Sequence, residues 1–388
     1  MRVLIAPDKF KGSLTAAEVA TAIAQGLDAA GVAYTVLPLA DGGDGSVAAA
    51  LAAGFTAHPV VVTGADRRPV HTELAFRGAT AVVEVANTCG LTTLPQGVLA
   101  PMTSSSFGFG QAIAAALEHG ARRIVLALGG SASTDAGAGM LAALGVSFLD
   151  RTGREVDPAG ETLARIATVD ARGLVDLSGV ELILAADVTN PLLGAEGASA
   201  VFAPQKGASP AQLRQLEAGL DHFAGVLGPR IEDTSDEHAR DGLADEPGAG
   251  AAGGIGFACR WLGARSVPGA DYFLDLLGFD DAVASCDAVI TGEGRLDTQT
   301  LGGKLPAVVA ARSAPRPVYA VVGQSQLSNT EQRRLGIQEV HALTELSDTD
   351  SSHDPALSRR LAAVASEAIA HSARARNSSS LIPGRCEL

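Results

Sequence analysis

The sequence predicts an α/β fold in which helices flank a parallel sheet, and three observations support this class. Several short apolar runs are continuous instead of alternating, which indicates strands buried on both faces. Helical segments separate many of these runs, and that alternation builds parallel sheets. The 388-residue chain is 47% hydrophobic but only 4% aromatic, a composition that fits a core of Ala, Val, Leu and Gly.

Six apolar runs fit the strand pattern, and Gly, Asp or both follow each of them. They cover residues 2–6, 35–39, 124–128, 182–186, 288–291 and 318–322. Ligands bind at the carboxyl ends of parallel strands. The polar residues that follow these runs therefore lie where a site is expected.

Helical patterns begin with residues 16–30, where Thr15 and Glu18 form a capping box before an apolar stripe that Gly31 ends. Further helices are predicted at 107–119, 137–144, 210–227, 250–262 and 306–312. The stretch 59–86 differs, because three strand-like runs occur there with little helical signal between them. It predicts antiparallel strands, and we take it as the start of a second domain.

The domain boundaries follow from that stretch and from a return near residues 266–269. We predict a discontinuous first domain of residues 1–58 and 268–371, and a second domain of residues 59–267. The polar segment 232–247 is predicted to be a mobile loop, and residues 372–388 a disordered tail.

Composition excludes several classes of protein. The net charge of −14, without any basic segment, argues against nucleic-acid binding. The cysteines at positions 89, 259, 286 and 386 lack the spacing of a zinc site or a disulfide framework. No apolar run approaches the roughly 18 residues of a membrane span, and the strand at 2–6 leaves no room for a signal peptide. We expect a soluble cytoplasmic protein.

Lysine is scarce, and its positions are informative. The chain contains four lysines, Lys9, Lys11, Lys206 and Lys304, each close to glycine in a loop-like segment, whereas its other cations are arginines. Lysine is a compact, flexible point charge suited to a moving phosphoryl group. The pattern predicts a lysine-dependent anion site, although chance retention in an arginine-biased sequence is the alternative for any one lysine.

Two glycine-rich segments were weighed as phosphate loops. Gly129, Gly130 and Ser131 join a predicted buried strand to a helix, where backbone amides and hydroxyls suit a phosphate. The alternative is a plain helix cap by one of the next polar residues, 133–135. A G-x-G-x-x-G match at 248–253 follows no strand, so the dinucleotide interpretation fails.

Acidic residues follow two other predicted strands. Asp41, Gly42, Gly43 and Asp44 place two acids in one turn, which favours Mg²⁺ coordination or contacts with substrate hydroxyls over a plain surface turn. Asp187 follows the predicted strand 182–186 and leads into Asn190. Its carboxylate suits a metal ligand or a base. An Asx turn is the alternative for Asp187.

The segment 292–304 carries the densest mixture of chemistry. It contains Glu293, Arg295, Asp297 and Lys304 together with hydroxyls and glycines. Phosphoryl transfer needs cations for phosphate oxygens, a carboxylate for Mg²⁺ or the attacking hydroxyl, and a permissive backbone. A salt-bridged structural turn is the alternative. No G-x-S-x-G motif occurs, so the sequence gives no indication of a catalytic triad with a serine nucleophile.

These segments, in this order, resemble the bacterial glycerate kinase family of class I type. The resemblance runs from 6–14 (APDKFKGSL) to about residue 323. It includes 38–45 (PLADGGDG), 129–132 (GGSA), 187–192 (DVTNPL), 202–208 (FAPQKGA), 247–254 (PGAGAAGG) and 291–304 (TGEGRLDTQTLGGK). Two departures are Asp44, where the family commonly has Glu, and the Ser-Thr pair at 133–134.

The resemblance implies ATP-dependent phosphorylation of D-glycerate, with 2-phosphoglycerate favoured over 3-phosphoglycerate as the product. It implies a Rossmann-like three-layer domain with a parallel sheet, an inserted second α/β domain, and an active site in the cleft between them. ATP and Mg²⁺ are the expected cofactors, glycerate the only expected partner, and the protein a monomer or homodimer.

Roles for the candidate residues then follow from their chemistry. Asp8 or Asp187 would orient and deprotonate the glycerate hydroxyl, and Lys9 and Lys11 would meet the transferred phosphoryl group or the glycerate carboxylate. Asp41, Asp44 and Asp297 are the Mg²⁺ or hydroxyl contacts. The groups expected around ATP or the substrate carboxylate are Glu293, Arg295, Lys206 and Lys304.

Two alternatives remain open at this point. The chain fits a kinase for another small hydroxy acid or sugar acid, and it fits a non-catalytic sensor of small anions. A nicotinamide dehydrogenase is disfavoured by the misplaced glycine motif.

Overall fold

The computed structural model describes residues 1–228 and 242–380, with side chains given as far as residue 374. The chain divides into two compact units. Unit 1 comprises Met1–Asp41 and Ala270–Leu388, and unit 2 comprises Gly42–Gly269. Within the described part of the chain, no helix is long and apolar enough to cross a membrane.

Unit 1 is built on a five-stranded sheet in which every pairing is parallel. The apolar residues of its central strands are buried, and Leu4, Ile5 and Ile290 are completely so, as expected of a sheet covered on both faces. In spatial order the strands are β13 (Ile337–Ala342), β12 (Val318–Ser325), β11 (Ala288–Leu296), β1 (Arg2–Pro7) and β2 (Ala33–Val36).

The helices of unit 1 begin with α1 (Ala16–Ala29), whose capping box of Thr15 and Glu18 is formed as the sequence predicts. The buried side of α1 packs with β1, β11 and the last helix, α13 (Pro355–Ser380), into one apolar core. The later helices are α8 (Gly269–Leu277), α9 (Phe279–Ala284), α10 (Leu305–Ser313), α11 (Asn329–Arg334), α12 (Leu343–Leu346) and α13 (Pro355–Ser380).

Unit 2 is built on a six-stranded mixed sheet. The antiparallel part that the sequence predicts is formed by β3, β4 and β5, and the remaining pairings are parallel. A small antiparallel pair, β7 (Ser147–Leu149) with β8 (Thr168–Asp170), lies outside this sheet. In spatial order the six strands are β10 (Arg265–Val267), β9 (Glu181–Ala185), β6 (Arg123–Ala127), β5 (Thr80–Glu84), β4 (Pro69–Arg77) and β3 (Thr56–Thr63).

The helices of unit 2 enclose the sheet and its apolar core. They are α2 (Ser46–Ala52), α3 (Val85–Cys89), α4 (Phe107–Glu118), α5 (Ala138–Ala143), α6 (Pro210–Leu227) and α7 (Ala251–Trp261). Four of them, α4 to α7, agree to within one residue at both ends with the helices predicted at 107–119, 137–144, 210–227 and 250–262.

The predicted α/β class with mostly parallel sheets is confirmed, while the boundaries differ. The first change of unit comes after Asp41 and not after residue 58, because α2 packs on β4 and β5 and β3 pairs with β4. The second comes after Gly269 instead of residue 267. Helix α13 continues past residue 372 to Ser380, where a disordered tail was expected. Most of the predicted loop 232–247, up to residue 241, lies outside the described residues, as do 381–388.

Candidate active-site groups

The carboxyl ends of β1 and β11 bring the first acidic groups of unit 1 together. The backbone N–H of Asp8 donates to the carbonyl of Gly292 across 2.8 Å, which continues the pairing of the two strands. The chain then folds tightly, because Phe10 and Leu14 pair through their backbones. Lys9 and Lys11 are carried by this fixed loop, and the side chain of Lys11 lies on the exposed side.

The Asp8 carboxyl is poorly solvated, with 14% of its side chain exposed. Burial raises the pKa of Asp8 to about 7, the Lys9 charge opposes this rise, and the neighbouring Asp41 adds to it. The Lys9 ammonium lies 3.6 Å from Asp8 Oδ1. A carboxyl with a pKa near neutrality beside a lysine is suited to exchange a proton at physiological pH.

Glu293 is a second buried carboxyl of unit 1, and it lies within β11 with 9% of its surface exposed. Thr300 donates its hydroxyl hydrogen to Glu293 Oε1 across 2.8 Å. Burial raises the pKa of Glu293 to about 7, while the Thr300 hydrogen bond and the Lys304 charge act in the opposite direction. The charge of Asp8 also acts on Glu293, so these two carboxyls belong to one electrostatic group.

The turn after β11 holds the remaining candidates of unit 1. Asp297 Oδ1 accepts the backbone N–H of Gln299 at 2.9 Å, and Lys304 Nζ donates to the Gln299 side chain at 2.6 Å. Arg295, near the end of β11, is exposed. The structure therefore gathers Asp8, Lys9, Asp41, Glu293, Asp297 and Lys304 through contacts or direct electrostatic interactions.

In unit 2, the turn that carries Asp44 lies against the loop after β6. A Cβ atom on Gly129 would lie 2.3 Å from the backbone nitrogen of Asp44, so only glycine permits this approach. The buried carboxylate of Glu84, at the end of β5, accepts from the backbone N–H groups of Gly45 at 2.9 Å and Val47 at 2.8 Å. Sequence reasoning missed Glu84, although a carboxylate that ends an apolar strand is the signal that identified Asp8 and Asp187.

The loop after β6 is fixed from inside unit 2 by Lys206. The Lys206 ammonium donates to Ser131 Oγ at 2.8 Å and to the carbonyl of Ser133 at 2.5 Å. Lys206 is 1% exposed, whereas the sequence predicted it beside a ligand. Gly130, on the outer side of the loop, is exposed.

The predicted alternative of a helix cap within 133–135 is met in part by Asp135, whose carboxylate accepts from N–H groups at the start of α5. The residue that caps α5 is Gly137, which has no side chain to offer. The Asp135 carboxylate nevertheless accepts from the N–H groups of Gly137 at 3.1 Å and Gly139 at 3.3 Å. It also accepts from both the N–H and the hydroxyl of Ser106 at 2.8 Å. Asp135 is thus a buried structural acid.

Asp187 and Asn190 follow β9 in unit 2. Asp187 is exposed, and its Oδ1 accepts the backbone N–H of Gly269 at 2.7 Å. Asn190 donates from its side chain to the carbonyl of Glu196 at 2.8 Å, and its own carbonyl accepts from Gly250 N–H at 2.9 Å. Both residues organise the loops at the end of β9.

The donor chemistry of these groups bears on the expected Mg²⁺. Within residues 1–228 and 242–380, no group of three or more His, Cys, Asp or Glu side chains is arranged to hold a metal ion. Mg²⁺ in kinases is commonly held by one or two carboxylates, with water and substrate phosphates completing its shell. Single carboxylates such as Asp41 fit that mode, and an all-protein cage is not required.

Comparisons with known proteins agree on one family. A family model described as the glycerate kinase family matches residues 3–373. The chain is similar to a glycerate kinase of Bacillus subtilis, with 40% identity covering 88% of this chain and 90% of that protein. It is also similar to glycerate 2-kinase of Escherichia coli, with 40% identity covering 83% and 85% of the two chains. A crystal structure provisionally named glycerate kinase 2, from Salmonella typhimurium LT2, matches with a TM-score of 0.78 and 35% identity over 97% of this chain and 99% of that one.

Proposed function

The chain belongs to the glycerate kinase family, and we propose that it transfers the γ-phosphoryl group of ATP to the 2-hydroxyl of D-glycerate. The enzyme is a glycerate kinase, a phosphotransferase with an alcohol group as acceptor. Similarity to a relative named glycerate 2-kinase supports the choice of the 2-hydroxyl. The observation that carries the mechanism is the interaction of two poorly solvated carboxyls, Asp8 and Glu293, among the lysines of unit 1.

In the proposed reaction, Asp8 is the general base. Its pKa of about 7 lets the carboxylate form exist at neutral pH and still accept a proton in the transition state. The glycerate O–H bond breaks, and its proton passes to Asp8. The freed oxygen forms a bond to the γ-phosphorus, and the bond from that phosphorus to the β–γ bridging oxygen breaks, so that ADP leaves with the electron pair.

The cations of unit 1 stabilise the charge that spreads over the phosphoryl oxygens in this step. Lys9, 3.6 Å from the base, is assigned to the transferred group, and Lys11 and Arg295 to the nucleotide phosphates or the glycerate carboxylate. Lys304, which Gln299 positions, is assigned to the nucleotide. Glu293, held by Thr300, is assigned to a hydroxyl of the substrate or nucleotide.

Mg²⁺, when bound with the nucleotide, neutralises phosphate oxygens and orients them for in-line attack. Asp41 and Asp297 in unit 1 are its proposed protein ligands, one or both at a time, and Asp44 in unit 2 stays a candidate ligand from the sequence. Unit 2 further supplies the loop of Gly129, Gly130 and Ser131 and the strand end with Gly42, Gly43, Asp187 and Asn190. We assign the backbone N–H groups of these glycines, the Ser131 hydroxyl and the Asn190 amide to contacts with an anionic ligand oxygen, and Asp187 to a substrate hydroxyl or Mg²⁺. Cytoplasmic location and a monomeric or homodimeric state stay predictions from the sequence.

The proposal is tested with the purified chain, ATP and Mg²⁺ in a coupled assay of ADP release. D-glycerate is expected to give the highest kcat/KM in a panel that also contains L-glycerate, lactate, tartronate and sugar acids. Phosphorus NMR of the product is expected to show the 2-phosphate ester. A higher kcat/KM for another acid would overturn the substrate, and a signal from the 3-phosphate ester would overturn the position.

A further inference from the structure

Lys206 occupies a chemically unusual position, because it is a lysine enclosed almost completely in unit 2. It ends the short turn Pro204–Lys206 and is 1% exposed. Among the described residues, its ammonium has two hydrogen-bond acceptors, Ser131 Oγ and the carbonyl of Ser133, and both belong to the loop after β6. A ligand would therefore meet the loop and not the ammonium.

The direction of the Lys206–Ser131 hydrogen bond has a consequence for Ser131. An ammonium can only donate, so Ser131 Oγ must accept, and the hydroxyl hydrogen of Ser131 has to point to some other acceptor. Ser131 is 5% exposed and follows the exposed Gly130. From this geometry we propose that Lys206 is a positioning residue, which fixes the Ser131 hydroxyl as a hydrogen-bond donor to an anionic oxygen of the ligand.

The backbone around Lys206 is shaped to enclose the ammonium. A Cβ atom on Gly253 would lie 2.9 Å from Lys206 Nζ and 2.1 Å from the Ser133 carbonyl. Gly253 and Gly254 have positive φ, as do the neighbouring Ala252 (φ 55°) and Ala136 (φ 53°). Alanine at positive φ is strained, and such strain persists where the surrounding structure imposes it, often at a functional site.

The electrostatics of the enclosure also favour this role. Asp135 attracts the Lys206 charge, but the oxygens of Asp135 are already occupied by Ser106, Gly137 and Gly139. Burial lowers the pKa of Lys206 to about 8, against the attraction of Asp135. A buried ammonium without a directly bonded carboxylate costs stability, whereas a methionine would fill the same space without that cost. The cost is explained if the charge sets the direction of the Ser131 hydroxyl.

This inference rests on the proposed phosphoryl transfer and names the group that unit 2 offers to the ligand. The ligand oxygen belongs either to a nucleotide phosphate or to the glycerate carboxylate, since both are anionic acceptors. The two sources predict different kinetics. A phosphate contact makes KM for ATP depend on Ser131 and Lys206, and a carboxylate contact makes KM for glycerate depend on them.

The test is a double-mutant cycle of Lys206→Met, Ser131→Ala and the combined variant, with Ser133→Ala as a matched control. The Ser133 hydroxyl belongs to the same loop, is buried and has no hydrogen-bond partner among the described residues, so its loss should leave the rate near that of the wild type. Each single change is expected to lower kcat/KM by about 10- to 100-fold, the range for a hydrogen bond to a charged group. The kcat/KM of the combined variant should be no lower than that of the less active single variant.

Losses that multiply in the combined variant would overturn the proposal, because they would mean that the two residues act independently. An unchanged kcat/KM in Lys206→Met would overturn it as well. If Lys206→Met does not fold, Ser131→Ala alone decides. The wild type should lose kcat/KM above about pH 8, where Lys206 loses its charge, and Ser131→Ala should lack this alkaline limb. If Ser131→Ala keeps the same alkaline fall in kcat/KM, the proposal is overturned.

Failure of the proposed function is distinguishable from failure of this inference. If the wild type releases no ADP with any hydroxy acid, the proposed reaction is wrong. The cycle is then run on the binding of ADP and of 2-phosphoglycerate by titration calorimetry. Coupled losses of affinity in Lys206→Met and Ser131→Ala would support the positioning role, and additive losses would refute it.

Discussion

The hydroxyl of Thr300 donates to Glu293 Oε1 across 2.8 Å, and both side chains are buried. The bond joins the turn after β11 to the strand itself and partly opposes the effect of burial on the carboxyl, whose pKa still rises to about 7. Thr300 therefore helps to keep Glu293 ionised near neutral pH. Sequence reasoning did not select Thr300, because one hydroxyl in a turn rich in polar groups carries no distinguishing signal.

Replacing Thr300 with Val should raise the pKa of Glu293 further, since a donor that favours the charged form is lost. The acidic limb of the profile of kcat/KM against pH should move to higher pH, and the rate at neutral pH should fall about tenfold. Thr300→Ser, which keeps the hydroxyl, is the matched control. Profiles that coincide for wild type and Thr300→Val would show that the ionisation of Glu293 does not govern the reaction.

Replacing Asp8 with Asn should lower kcat by about 10²- to 10⁴-fold, the usual contribution of a general base. It should also change stability. The folded-state pKa of Asp8 is raised from 3.8 to about 7, so the stability that the protonated form contributes is complete below pH 4 and is lost as pH rises through 7. Denaturant unfolding from pH 4 to 8 should show that this decline is smaller in Asp8→Asn. If Asp8→Asn is as active as the wild type, the general base is a group other than Asp8.

Much of the fold follows from local signals. The capping box of α1, the start and end of α6 and the antiparallel strands β3–β5 each depend on residues close in sequence. The family was evident from ordered motifs and is confirmed by the comparisons. The unit boundary after Asp41 was missed because α2 packs on β4 and β5, and a short helix carries no local mark of the sheet it covers.

The sequence predicts candidate residues at the ends of strands, but it does not predict how deeply a side chain is buried. Asp8, Glu293 and Asp187 are candidates because a carboxylate that follows or interrupts an apolar run stands out, and their roles stay predictions. The scarcity of lysine singles out Lys206 as a ligand contact, but it could not reveal that the Lys206 ammonium is enclosed within unit 2. That enclosure depends on Gly253, which is distant in sequence and approaches only through the tertiary fold.

Asp187 offers a test that separates charge from geometry. Its Oδ1 accepts the Gly269 N–H at 2.7 Å, and the carbonyl oxygen of an asparagine can make the same bond. Asp187→Asn should therefore keep the wild-type melting temperature, while turnover falls strongly if the negative charge acts on the substrate or the metal. Asp187→Ala, which also loses the bond to Gly269, should reduce both. Normal turnover in Asp187→Asn would restrict Asp187 to a structural role.

Lys206 allows a prediction about stability that is independent of catalysis. Its pKa in the folded protein is lowered from 10.5 to about 8, so between these values the unfolded chain binds the additional proton. Stability linked to Lys206 should then be constant below pH 8 and rise from pH 8 to about 10.5, by about 3 kcal/mol at one pKa unit per 1.36 kcal/mol. The measurement is the difference in unfolding free energy between wild type and Lys206→Met, followed by urea denaturation across this range. Because the other titrating groups are common to both proteins, the difference isolates Lys206. A difference that stays flat above pH 8 would mean that the ammonium keeps its proton, and the alkaline loss of activity would then need another origin.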